Sequence, residues 1–359
     1  MKGLRKYLTP FAPDQSGAES VLYQLGGILV ILDAGGCTGN ICGFDEPRWS
    51  HTRSAVFSAG LRDMDAIMGR DELLVKKLEK VAAKIDAGFI AIIGTPVPSV
   101  IGTDYHALAR MTSRKVKLPI LTIDTDGMHT YEVGEQKAYL ELMRQMVPPV
   151  KESIREDFVG VFGATPLDLP VPSDQELIKR TLRSRGCEQV LLYGADATLK
   201  DVAIASSVKE NIVVAPSGLK AAQYMEKTYQ VPFRVEYPGA GELLDKLLKE
   251  QNITEDWQGK KVLILHQQVL ANELRKEIKE RSGHTAKVTV CSYFMMHKEW
   301  MEETDRKLRE EDDWVELLTK ENYNIILADT TLSVMTPDFD GQWINLPSFA
   351  ISGKYDPSM

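Results

Sequence analysis

Two cysteines set among glycines are the most distinctive chemical feature of this 359-residue chain. Cys37 and Cys42 stand in the run Ala34-Gly35-Gly36-Cys37-Thr38-Gly39-Asn40-Ile41-Cys42-Gly43, where four glycines surround two thiols. Glycine lets the backbone bend tightly and lets a bound group come close. The amides of such a turn can point at sulfide or phosphate, and a Cys-x4-Cys spacing can place two thiolates on one iron–sulfur cluster. The same two residues can also be inert thiols, and spacing alone leaves both readings open. The other two cysteines, Cys187 and Cys291, lack these surroundings and read as core thiols.

Other chemistries leave less trace. Gly35-Gly36-Cys37-Thr38-Gly39 follows a predicted strand but lacks the Gly-x-Gly-x-x-Gly spacing of a dinucleotide site. Neither a Walker phosphate loop nor a Gly-x-Ser-x-Gly elbow occurs, so the chain is not expected to hydrolyse ATP itself. The six histidines are scattered and form no His-x3-His zinc pair. His51 stands out only because Trp49, His51 and Arg53 follow the cysteine loop. No catalytic residue is assigned.

The elements that must position these residues alternate: an apolar β-rich run, a Gly/Pro/Asp loop, an amphipathic helix. That pattern predicts an α/β fold of parallel sheets flanked by helices. A first block, 1–150, has strands expected at 27–33, 88–93 and 119–123 and helices at 72–85 and 135–146. A second, 151–240, has strands at 158–162, 189–192, 212–215 and 233–235, with helices at 174–185, 199–207 and 218–229. A third, 241–359, has strands at 261–265, 286–291 and 323–328 and helices at 242–250 and 268–281. The acidic stretch 298–317 reads as a solvated helix face. Ligands of open α/β sheets bind outside the carboxyl ends of strands. This points to the cysteine loop, to Gly94-Thr95-Pro96-Val97-Pro98-Ser99 and to Asp124-Thr125-Asp126-Gly127.

Composition sets the outer limits. Hydrophobic residues at 43% and charged residues at 26% suit a globular chain able to build more than one core without disulfides. A net charge of −8 gives no electrostatic reason to expect nucleic acid. No apolar segment follows the basic start, and the longest apolar run, around 25–34, is too short for a membrane span. The expected location is the cytoplasm.

The order of motifs resembles the nitrogenase component 1 superfamily: the catalytic component of nitrogenase, its cofactor-assembly scaffold and related reductases. The resemblance rests on Phe11-Ala12-Pro13, Gly35-Gly36-Cys37-Thr38-Gly39-Asn40, Gly69-Arg70-Asp71-Glu72-Leu73-Leu74, Thr95-Pro96-Val97 and Ile101-Gly102-Thr103-Asp104. It continues through Asp196-Ala197-Thr198-Leu199-Lys200-Asp201-Val202, Val231-Pro232-Phe233 and Gly341-Gln342-Trp343-Ile344-Asn345-Leu346-Pro347. It implies three Rossmann-like domains and paired chains. It also implies a cluster at the pair interface, held by cysteines from three loops of the first domain, and an ATP-dependent iron protein that delivers electrons.

Against that pattern, Cys37 matches the second cluster cysteine, Phe11 stands at the first position, and the third falls at Thr95-Pro96. The middle-domain cysteine that holds the nitrogenase active-site cofactor falls near Ala215-Pro216 and is missing, while Cys42 is extra. Cys37 and Cys42 are therefore the expected metal ligands, with Asp14 as a reserve oxygen ligand. Gly35, Gly36, Gly39, Thr95 and Pro96 would line the cofactor. Two thiols per chain make four in a dimer, so a [4Fe-4S] cluster would be shared with an identical or paralogous chain, and the stretch 11–26 is a candidate contact surface through Leu22, Tyr23 and Leu25. The expected function is electron transfer from the iron protein to a small organic substrate, not dinitrogen. The alternative is a non-catalytic scaffold or carrier for a metallocluster or tetrapyrrole. A third, weaker reading is a cluster-free small-molecule-binding protein.

Overall fold

A computed structural model of the chain describes residues 5–52, 54–69, 71–149, 153–170, 172–254 and 256–348. Arg53 and Arg70 of the sequence motifs, the 150/151 boundary and the stretch 349–359 lie outside the described residues.

Apolar, β-branched runs such as Ile28-Leu29-Val30-Ile31 and Ile90-Ala91-Ile92-Ile93 are buried along their whole length, as strands covered on both faces must be. Among the described residues they assemble into three all-parallel sheets. The first has the order β2-β1-β3-β4, from Ala55–Ser58 (β2), Ile28–Ile31 (β1), Ile90–Ile93 (β3) and Ile120–Ile123 (β4). The second has the order β6-β5-β7-β8, from Gln189–Leu192 (β6), Arg155–Phe162 (β5), Val208–Val213 (β7) and Phe233–Val235 (β8). The third has the order β11-β10-β9-β12-β13, from Arg306–Lys307 (β11), Lys287–Ser292 (β10), Lys261–Leu265 (β9), Ile325–Ala328 (β12) and Gln342–Asn345 (β13). Helices link the strands, giving the α/β architecture that the alternation predicts. Among the described residues no helix is long and apolar enough to cross a membrane.

Strand order reverses between β1 and β3 in the first sheet, and the crevice at such a point is where open sheets bind ligands. Ile31 pairs with Ile93, so the segments that follow, 32–46 and 94–100, leave the sheet side by side.

One helix reads against its sequence. Asp14–Leu22 is polar over most of its length, yet all nine residues are buried. It crosses the Tyr131–Met146 helix at a distance that only glycine permits. A Cβ on Gly17 would lie 2.0 Å from the Tyr131 carbonyl oxygen, and one on Gly134 would lie 1.7 Å from that of Asp14. Leu22, Tyr23 and Leu25 accordingly belong to the chain's own core, not to a contact surface. The acidic stretch is also less solvated than its charge suggests. The Glu311 carboxylate accepts from the amides of Lys6, Tyr7 and Leu8, and buried Asp305 receives both bonds of the Arg275 Nη1.

Candidate metal centre at the cysteine turn

After β1 the chain turns at Gly35, whose φ of 120° excludes an ordinary side chain. The glycine-rich run then coils: a short helix, Gly36–Asn40, continues as a π-helical turn, Ile41–Asp45. π-Turns recur at functional sites. Acidic side chains hold the coil. Asp33 Oδ2 accepts from the Thr38 amide at 2.7 Å and its Oδ1 from the Ser58 hydroxyl at 2.6 Å. Asp45 Oδ2 accepts from the Ser16 hydroxyl at 2.6 Å and the Asn40 side-chain amide at 2.8 Å. Glu46 takes a bidentate pair from Arg48, whose guanidinium also donates to the carbonyls of Ser20, at 2.6 Å, and Gly194, at 3.0 Å. Arg48 thereby ties the coil to the Asp14–Leu22 helix and to the segment after β6.

Both thiols on this coil are free and half-buried. Cys37 lies in hydrogen-bond contact with the buried Thr95 hydroxyl, which donates to the Leu32 carbonyl. Burial, reinforced by Asp33, raises the Cys37 thiol above its usual range. Cys42 opens onto a surface cavity of about 400 Å³ walled by Phe44, Glu46, Pro47 and Trp49. Burial, then Glu19 and Glu46, push its thiol up to about 12. Metal-free, both cysteines are therefore protonated at neutral pH, and a metal ion must displace those protons to bind. The donor chemistry suits a soft metal or an iron–sulfur cluster, but one chain offers two thiolates where a four-iron cluster takes about four ligands.

The remaining sequence candidates sort by position. A side chain on Gly35, Gly36 or Gly39 would meet no atom within 4 Å, so the glycines leave that face open to a bound group. The amides of Thr38 and Gly39 are occupied, by Asp33 and by the Gly35 carbonyl, and cannot form part of an anion nest. Thr95 touches Cys37, and Pro96 opens the Pro96–Val100 helix and packs on Gly127. Asp14 is used elsewhere: its two oxygens accept from the amides of Asp126 and Gly127 at 3.0 and 2.8 Å. Its cluster mates are Asp126 and His129, the one set of three such donors within 4.8 Å among the described residues, and no cysteine belongs to it. Phe11, at the first family position, packs on Tyr293 and Phe294. Cys187 and Cys291 are buried in cores. His51 is exposed.

Sequence reading missed two sets of residues. One is Glu19, Glu46 and Arg48 behind Cys42. Glu19 is fully buried with no hydrogen-bond partner on either oxygen, and burial beside Glu46 holds it well above the usual carboxylate range. The charged run Asp45-Glu46-Pro47-Arg48 next to the second cysteine was the available signal. The other set lies where the ends of the three sheets meet. Glu135 and Asp168, both buried, lie in hydrogen-bond contact with each other. Thr165 donates to Glu135, and Tyr131 donates to Asp168 at 2.7 Å. Ala215, Pro216, Ser217, Gln267 and Met295 close over Asp168 and leave no space for a water molecule. The position matched to the missing cofactor cysteine is thus packed shut.

Comparison with known proteins gives a consistent picture. The model of the family "Nitrogenase component 1 type Oxidoreductase" matches residues 16–249. The nitrogenase iron-molybdenum cofactor biosynthesis protein NifE of Methanococcus maripaludis is 26% identical over 254 residues, 68% of this chain and 51% of that protein. The nitrogenase molybdenum-iron protein alpha chain of Nostoc commune is 24% identical over 170 residues, 44% of this chain and 56% of that sequence. The chain spans about half the length of the curated relatives it matches. A solved structure of nitrogenase Cp1 at pH 6.5 superposes with a TM-score of 0.71 at 12% identity, over 99% of this chain and 91% of that one.

Proposed function

Because the chain belongs to the nitrogenase component 1 type oxidoreductase family, we propose that it is a nitrogenase-like subunit whose Cys37 and Cys42 hold an iron–sulfur cluster between two chains. The observation that carries this reading is the pair of free, half-buried thiols on an open glycine coil at the strand-order reversal of the first sheet. A cluster there would supply one-electron chemistry. The chain's own residues hold the thiols: Asp33 and Thr95 fix the Cys37 side, and Glu46 and Arg48 fix the Cys42 side. Electrons would come from an ATP-dependent iron protein, the donor that the family resemblance implies. The acceptor would be a small organic molecule, not dinitrogen, because the cofactor cysteine is absent and its place is filled. Two thiols per chain require an identical or paralogous partner.

The test is anaerobic reconstitution with iron and sulfide. A brown dimer with about four irons is expected from the ligand count. Colourless, iron-free protein would remove the proposal, and a monomer holding a full four-iron cluster would remove the shared site. A second reading, a scaffold or carrier without turnover, is favoured by the cofactor-biosynthesis relatives. Cargo would then sit at the cysteine coil, because the junction of the three sheets has no room for it. Substrate turnover with a reductase and ATP separates the two, since a carrier binds and does not turn over.

A further inference from the structure

A second cavity, of about 540 Å³, opens beside the cysteine coil. Pro10, Phe11, Pro13 and Phe44 give it apolar walls, and Thr9, Gln15, Asn40 and Asp45 supply its polar side chains. That size, with apolar walls and a few polar groups, is the usual form of a small-molecule site. Phe44 also lines the Cys42 cavity, so one ring separates the two spaces.

Two of these side chains, Gln15 and Asp45, bring acceptor oxygens to the cavity wall. Gln15 is 5% exposed, and its Oε1 is buried with no hydrogen-bond partner. It faces the cavity wall at Gly127, where an added Cβ would stand 3.3 Å from that oxygen. Asp45 takes both its hydrogen bonds on Oδ2, from Ser16 and Asn40, so Oδ1 is available. The Asn40 side-chain amide is already committed to Asp45. Among the described residues no cationic side chain lines the cavity; Arg5 lies over the Phe11 ring. Phe11 is further held by Tyr293 and Phe294, which makes it a fixed wall. An orphaned buried acceptor calls for a donor, and an anionic wall beside the exposed Phe44 ring favours a cation.

We propose that this cavity binds a small, planar organic cation bearing N–H donors, held by Asp45 and Gln15 and stacked against Phe44. The proposal rests on reading the cysteine coil as the centre that serves a small organic substrate, and it names the class of that substrate. It is tested on the metal-free full chain by calorimetric titration with benzamidine, against benzoate as the anion of similar shape. Benzamidine should bind at least tenfold more tightly than benzoate. Asp45→Asn and Gln15→Leu should each weaken it about tenfold, and Phe44→Ala should weaken it as well. Thr319→Ala, at a cavity on the third sheet, should leave it unchanged. Thermal unfolding checks that each variant is folded. If Asp45→Asn does not fold, Gln15→Leu and Phe44→Ala carry the test. Benzoate binding as well as benzamidine, unchanged affinity in the folded variants, or no benzamidine binding at millimolar concentration would each overturn the proposal. Iron loading of the same preparation is scored separately, so a failed cysteine site and a failed cavity give different results.

Discussion

Cys37 and Cys42 differ in what surrounds them, and that difference is testable. Cys37 sits against Thr95 and Asp33 and is a ligand of the proposed cluster, so Cys37→Ala should abolish iron binding on anaerobic reconstitution. Cys187→Ala and Cys291→Ala remove core thiols and should keep the iron, with roughly 1–2 kcal/mol lost in chemical denaturation. Burial first, then Glu19 and Glu46, push the Cys42 thiol up to about 12. On the order of one such thiol in ten thousand is ionised at pH 8, against about a quarter for an ordinary cysteine. Iodoacetamide should therefore modify Cys42 of the metal-free protein far more slowly than a free thiol, with the rate still rising above pH 10. Glu19→Gln should speed it. A normal alkylation profile would mean that Cys42 does not feel those carboxylates. The cysteines were legible because type and spacing are local facts. Glu19 was not: nothing in Ser16-Gly17-Ala18-Glu19-Ser20 says that an acid there is buried without a partner.

Elements show the same divide. Strands β6 and β9 and the Gln268–Arg281 helix match the periodicity reading residue for residue, because each has a strong apolar pattern and turn residues at both ends. The edge strands β2, β11 and β13 escaped it, since short, half-exposed runs lack such a pattern. The Asp14–Leu22 helix escaped it for the opposite reason: it is buried all round and has no apolar stripe to read. Its position depends on Gly17 and Gly134. Gly134→Ala should push the two helices apart and cost about 3 kcal/mol or more in chemical denaturation, at the upper end for overpacking. Gly43→Ala, where an added Cβ meets nothing within 4 Å, should stay within about 0.5 kcal/mol. Equal costs for the two would remove the close crossing as the reason for the glycines. Gly134→Ala should also disturb the cysteine coil, because this helix carries Ser16 to Asp45 and Ser20 to Arg48.

For the whole molecule, the buried pair at the junction of the sheets links stability to pH. Burial pushes the Asp168 carboxyl up to about 7 and raises Glu135 well above its usual range, so the folded state keeps a proton that the unfolded chain releases near pH 4. The folded state then binds more protons than the unfolded one between about pH 4 and 7. The stability from this pair is complete below that window and falls as pH rises through 7. Buried His266, whose pKa is lowered by desolvation, acts with the opposite sign near its own range, so the pair is best seen as a difference between proteins. The melting temperature of the wild type should drop as pH rises from 5 to 7.5. Glu135→Gln, whose side-chain amide can donate to an ionised Asp168, should flatten that slope. Parallel slopes would show that the pair does not share a proton. The amino-acid sequence by itself determined the alternation of strand and helix, the parallel sheets and the two thiols in their glycine-rich run, because these follow from side-chain periodicity and from residues adjacent along the chain. Tertiary structure alone decided that Thr95 touches Cys37, that Asp14 turns to the 126–129 loop, and that Glu19, Glu135 and Asp168 lose their water. Each of those outcomes depends on which distant segments are packed against the group, and burial changes the free energy of an ionisable side chain more than any neighbour in sequence does.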